Sequence, residues 1–254
     1  MINMYTCTQM KIRRGATPLI ELMPKQIYTV EDIYHALKHE ILMLKRAPGS
    51  TISENEVAAR FGLSRTPVRA AFAKLRAEDL IYTIPQKGSF VTYLDFDYIM
   101  QMVYMREKVE HHILMEAIER QTPLFIDKLK RNLLQQKKQV SGVVDPEAFF
   151  TLDSRFHQAC YAQVGRQKLW DALQQIDHQY IRYRILYYSV SRSFQILYRE
   201  HYEMFQMITG RHLERAIQFC QAHLNGYAAN VNEHVLNHYG DFFANNPRDT
   251  DTGE

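Results

Sequence analysis

Apolar residues recur at two different periods along the chain, and the change of period divides it. Ile33, Leu37, Ile41 and Leu44 share one face of a helix predicted from Glu31 to Lys45. Thr29 caps it, Asp32 stands three residues on in capping-box spacing, and Pro48-Gly49 ends it. Ser53-Glu54-Asn55-Glu56 has the same box chemistry and opens a short helix bearing Val57, Ala58 and Phe61, stopped at Gly62. Ser64-Arg65-Thr66-Pro67 opens a third, with proline in the first turn and Val68, Ala71, Phe72 and Leu75 as its stripe. The pattern then changes to two short strands, 80–84 and 89–93, around a tight Pro85-Gln86-Lys87-Gly88 turn.

From Phe96 the spacing is helical only. It predicts six segments, at about 96–120, 123–139, 146–164, 167–188, 193–209 and 211–238. Pro123, Ser141-Gly142 with Pro146, Gly165, Ser191 and Gly210 mark the breaks. Residues 1–24 lack a period and read as a flexible arm, and 240–254, with Asn245-Asn246-Pro247, as a frayed polar tail. The fold class is therefore mainly α. A winged helix-turn-helix over 25–94, three helices plus a β-hairpin wing, precedes an all-helical bundle over 95–239.

Composition adds three limits. At 46% hydrophobic residues the chain can bury a core. No apolar run approaches the ~18 residues that span a bilayer, and residues 1–24 do not have the layout of a secretory signal. The cysteines Cys7, Cys160 and Cys220 are few, odd in number and far apart, which suits a reducing cytoplasm. Net charge is +3, but residues 1–94 carry 13 Lys/Arg against 8 Asp/Glu while the remainder is net −2. An anionic polymer would dock at the front.

The turn at Gly62-Leu63-Ser64 presents the third helix to a major groove, and its first turn is the part that reaches base edges. Arg65, Thr66 and Arg69 sit there, the two arginines four apart on one face. Arginine bonds guanine O6 and N7 bidentately, or grips phosphate. Lys87 and Gly88 at the hairpin tip would meet phosphate or the minor groove. An isolated arginine pair is more often a solvated helix charge, so the surrounding pattern has to decide. The run from Ser53 to Arg69, together with Gly88-Ser89-Phe90-Val91, closely resembles the GntR family over about residues 28–93. The resemblance implies Arg65 and Arg69 as the main DNA contacts, beside Thr66 and the Gly88 wing. Where that family often has arginine after the first glutamate, this chain has Asn55, which bonds phosphate or adenine and implies a different operator preference.

The helical remainder resembles, more loosely, the effector domain of the FadR-like branch. Asp153-Ser154-Arg155-Phe156-His157 is similar to that branch's Asp-x-x-x-His element, Glu200-His201 to its glutamate-histidine, and His223-Leu224 to its late histidine-leucine. The resemblance implies a divalent metal, zinc, nickel or a similar ion, on Asp153, His157, His201 and His223. Positions i and i+4 do share a helix face, and imidazole suits such ions. Spacing alone is weak, since His35/His39 and His234/His238 show it too. Gly165-Arg166 and Gly210-Arg211 depart from the family pattern at helix junctions.

Arg106 is a candidate partner for an effector carboxylate. The Tyr- and Arg-rich run 180–188, including Arg182 and Tyr183, either lines the effector pocket or packs Ile181, Ile185 and Tyr188 inward with its arginines in water. The function expected is a sequence-specific, homodimeric transcription regulator, a repressor by family default. It would bind a palindromic operator and answer to an organic or sugar acid, and it is no enzyme. The alternatives are a metal-dependent hydrolase with an added DNA-binding domain and a non-specific architectural DNA protein. No HExxH, nucleophile elbow or phosphate-binding glycine loop supports the first.

Overall fold

A computed structural model of the protein describes residues 28–191, 194–216, 219 and 232–244. The expected 1–24 arm lies outside them. Helix α1 (Val30–Leu42) starts on a complete capping box, with Asp32 N donating to Thr29 Oγ1 at 3.1 Å and Thr29 N to the Asp32 carboxylate at 2.7 Å. It stops three residues short of Lys45, and Leu44 turns out of it at φ 55°. Helix α2 (Glu54–Phe61) is capped at Ser53, but the hydroxyl accepts from Asn55 N rather than from the third residue, so the box there is incomplete. Gly62 at φ 64° takes the left-handed turn that a Cβ would disfavour. Helix α3 (Arg65–Ala77) follows.

Strands β2 (Ile81–Ile84) and β3 (Gly88–Val91) form the wing, with Tyr82 opposite Phe90 and Thr83 opposite Ser89. A third strand, β1 (Thr51–Ile52), pairs with the other edge of β3. Two residues are too few to show an alternating pattern, so the sequence gives no sign of it. Ile33, Leu37 and Ile41 of α1 meet Val57, Val68, Ala71, Phe72, Leu75, Ile81 and Val91 in one buried core, all within 1% of complete burial.

The second unit comprises α4 (Phe96–Glu119), α5 (Pro123–Val140), α6 (Pro146–Gln163), α7 (Gln167–Ile176), α8 (His178–Ser191), α9 (Phe194–Gly210) and α10 (Asn232–Tyr239). Prolines start α5 and α6, each behind an Asp or Thr cap. The expected single helix over 167–188 is two, parted at Asp177. No glycine or proline marks the break. Its cause is tertiary: the Asp177 carboxylate is buried and accepts Arg106 Nη1 of α4 at 2.8 Å. Amphipathic α7 buries Trp170 and Leu173, whereas α8 buries every residue from Tyr180 to Leu186.

A helix covered all round belongs in the middle of a domain, and α8 packs against α1, α4, α6 and α10. The stretch Gly240–Ala244, expected within the frayed tail, is instead packed. Phe243 is buried, Leu94 N donates to Phe242 O, and Ala244 N donates to Leu94 O. Much of the expected 211–238 segment lies outside the described residues. No described helix is long and apolar enough to cross a membrane.

Candidate regulatory site and nucleic-acid interface

The first turn of α3 carries the DNA-reading candidates on an open surface. Arg65, Thr66 and Arg69 are exposed, as are Asn55 at the start of α2 and Lys87 and Gly88 at the wing tip. Arg69 Nε donates to Glu54 Oε2 at 2.9 Å, which holds the guanidinium against α2 while leaving most of it in solvent. Ser64 makes no side-chain cap bond and the first turn holds no acidic residue, so the positive end of α3 faces outward beside Arg65. The wing tip turns through Gln86 (φ 64°) and Gly88 (φ 117°), and Thr83 and Ser89 hydroxyls bond at 2.9 Å behind it. All six predicted DNA contacts thus lie on solvent-facing parts of α2, α3 and the hairpin.

In the helical unit, α6 and α9 bring three predicted ligands together. Donor atoms of Asp153, His157 and His201 all lie within 4.8 Å of one another, and all three residues are buried. His157 Nε2 is 3.7 Å from Asp153 Oδ1, and His201 Nε2 is 3.8 Å from Asp153 Oδ2. The opposite ring nitrogens are held by neighbours. Gln136 Oε1 of α5 lies 2.8 Å from His201 Nδ1, and Glu110 Oε2 of α4 lies 3.0 Å from His157 Nδ1. An acceptor on Nδ1 fixes the tautomer that presents Nε2. Two imidazoles so oriented beside a carboxylate are a donor set that suits zinc, nickel and similar ions. His223 lies outside the described residues.

Charge around the cluster is balanced by arginine. Arg184 Nη2 meets Asp153 Oδ1 at 2.5 Å, and Tyr188 donates its hydroxyl to Asp153 Oδ2 at 2.7 Å. Burial opposes ionisation of Asp153, but the Arg184 guanidinium, then His201 and His157, overcome it and hold the carboxyl well below the usual range. Arg106 does not point at an open carboxylate site. It is buried between Asp177 and Glu110, which keep it charged despite the cost of burial. Glu110 thereby joins Arg106 to His157. Burial pushes the Asp177 carboxyl up to about 6 against the pull of Arg106. The Tyr180 ring lies beneath both Arg106 and Arg184, with centroid distances of 4.9 and 5.7 Å.

The other two effector candidates lie elsewhere. Arg182 is 1% exposed, but it faces the DNA-reading unit, donating to Thr92 O at 2.6 Å, Tyr93 O at 3.1 Å and Gln179 Oε1 at 3.1 Å. Tyr183 is buried with Leu94, Ile99 and Val103. The alternative that the α8 arginines face water fails as well, because both Arg182 and Arg184 are interior. Glu110, Gln136, Arg184 and Tyr188 were not among the sequence candidates. Arg184 and Tyr188 sit in the run already singled out by its Tyr and Arg content. Glu110 stands one turn from Arg106, and nothing in the sequence marks Gln136.

Residues 29–91 match the family described as bacterial regulatory proteins, gntR family, and residues 101–226 match the FCD domain. An uncharacterized HTH-type transcriptional regulator in an unstable DNA locus of Streptomyces ambofaciens is 32% identical over 84% of this chain and 89% of its own length. The HTH-type transcriptional repressor RspR of Escherichia coli is 29% identical over 80% of this chain and 89% of its own. Among solved structures, McbR/YncC of Escherichia coli shares the fold at a TM-score of 0.64, with 18% identity, over 84% of this chain and 99% of that one.

Proposed function

We propose that this chain, which belongs to the GntR family of bacterial regulatory proteins and carries an FCD domain, is a homodimeric repressor whose hold on a palindromic operator depends on what occupies the Asp153 cluster. DNA-binding transcriptional regulation by a small-molecule effector is the family's activity. The repressor sense is supported by the Escherichia coli relative RspR, a transcriptional repressor. The observation that carries the regulatory part is the buried set Asp153, His157 and His201, with Gln136 and Glu110 behind the two rings.

Those three residues would hold a divalent ion, with His223 as the fourth ligand that the family resemblance implies. The ion would supply a Lewis-acid position for an effector oxygen. The chain's own part is electrostatic. Arg184 and Arg106, both in contact with Tyr180, offset the charges of Asp153, Glu110 and Asp177, so a bound divalent ion would add the positive charge that favours an organic or sugar acid over a neutral ligand. DNA is read by Arg65, Thr66 and Arg69, steadied by Asn55, Lys87 and Gly88 on the backbone. Two such units on a dimer meet two half-sites.

Elemental analysis of purified protein tests the metal. Wild-type chain is expected to carry close to one ion per protomer, and His157→Ala with His201→Ala to carry almost none, because truncating two imidazoles removes most of the donor set. Equal metal content in the two proteins would remove the site. Turnover of an ester or phosphate panel by metal-loaded wild-type protein would favour the hydrolase alternative instead.

A further inference from the structure

Helix α8 carries two buried arginines, two residues apart, that leave it in different directions. Arg184 ion-pairs with Asp153 of the regulatory cluster, and Arg182 hydrogen-bonds the carbonyls of Thr92 and Tyr93, where the chain leaves the wing. The same helix is tied to the DNA-reading unit twice more. Gln179 receives Asp95 N and donates to Tyr93 O, each at 3.3 Å, and His178 lies 3.7 Å from Glu78 at the end of α3. Glu78 is in turn held by Lys38 and Tyr34 of α1. From Tyr180 to Leu186 every residue of α8 is buried, so the helix has no loose face on which to absorb a displacement.

Arg182 is chemically unusual among these contacts. Its hydrogen-bond acceptors are two main-chain carbonyls and one amide, and the acidic group that favours its charge is Asp79, a residue at the surface. Burial lowers its tendency to stay protonated, to about 10. A guanidinium held by neutral dipoles has no strong ion pair to offset its desolvation. The joint is therefore held by hydrogen bonds to neutral acceptors rather than by an ion pair. Arg182 borders a cleft of about 580 Å³ lined also by Asp79, Tyr82, Thr92, Tyr98 and Gln179.

We propose that Arg182 is a positioning residue that sets the orientation of the wing and α3 relative to the helical unit. Through α8, the Arg184–Asp153 contact controls how firmly it grips. The inference rests on the reading of the Asp153 cluster as the regulatory site. An ion or effector that competes with Arg184 for Asp153 releases one anchor of α8. The other anchor, Arg182, then loosens at Thr92 and Tyr93, and the spacing of two DNA-reading units in a dimer changes.

A double-mutant cycle tests this in the full-length, metal-free protein. Wild type, Arg182→Gln, Arg184→Gln and the double variant are compared by amide hydrogen exchange at Thr92 and Leu94, whose N–H groups bond Leu80 O and Phe242 O. Arg184→Gln is expected to speed exchange there about tenfold when Arg182 is present and less than about twofold when it is glutamine. Equal factors in both backgrounds would overturn the proposal. If circular dichroism shows Arg184→Gln unfolded, Tyr188→Phe, which removes the hydroxyl that donates to Asp153 and accepts from Arg184, takes its place. Zinc binding by equilibrium dialysis runs in parallel on the wild type. Absence of zinc binding there counts against the metal reading alone, while the exchange cycle still decides the role of Arg182.

Discussion

Replacing Arg65 and Arg69 together by alanine is expected to lower affinity for a specific operator by on the order of 10²- to 10⁴-fold, since each bidentate arginine–base contact is worth about 1–3 kcal/mol. Fold stability should hardly change. Both side chains are exposed, and the one ion pair lost, Arg69 with Glu54, is itself a surface pair. Such pairs contribute at most about 1 kcal/mol, and surface substitutions away from caps and cores stay within about 0.5 kcal/mol. Fluorescence anisotropy on a labelled operator duplex, beside thermal melts, separates the two effects. A double variant that still prefers operator over random DNA as the wild type does would show that another element reads the bases.

A second large effect is expected at Asp153, this time on stability. Asp153→Ala removes the buried carboxylate that Arg184, His157 and His201 face, and breaking a buried ion pair on one side costs about 3–5 kcal/mol. That is a large part of the roughly 5–15 kcal/mol that holds a domain together. Asp153→Asn keeps the volume and an acceptor for Tyr188 but removes the charge, which makes it the better probe of pH.

The sign follows from linkage. The folded-state carboxyl is held well below its unfolded value of about 3.9, so its contribution is complete above about pH 4 and is lost as pH falls toward the depressed folded value. The stability gap between wild type and Asp153→Asn, measured in chelator by denaturant titration, should be wide at pH 7 and about 1 kcal/mol narrower at pH 3. A gap that does not change with pH would mean that Asp153 is not ionised in the folded protein.

The DNA-reading unit was legible because its signals are local. Thr29 with Asp32, Ser53, Gly62 and the proline in the first turn of α3 each act within a few residues, and each works at or close to its expected position. The helical unit was legible in its breaks at proline and glycine, but not at Asp177, where the contacts to the turn between α7 and α8 come from Arg106 and Tyr98 on the distant α4. The same limit applies to the candidate site. Asp153 and His157 share one helix and so could be paired from spacing, and family resemblance added His201. Gln136, Glu110 and Arg184 reach the cluster from three other helices, and nothing within their own segments says so.

Arg182 shows the same limit. Composition marks its polar run, but only the fold shows that it bonds the carbonyls of Thr92 and Tyr93 at the wing exit, beside a cleft, while Arg184 two residues on meets Asp153.

On the proposed function, the chain reads DNA sequence as a symmetric pair of units. Selection from a random-sequence duplex pool with full-length protein tests it most directly. Enrichment of a two-fold-symmetric motif is expected, bound at least about 10³-fold tighter than unselected DNA at physiological salt. A pool that shows no consensus after repeated rounds, bound no better than at the start, would contradict it.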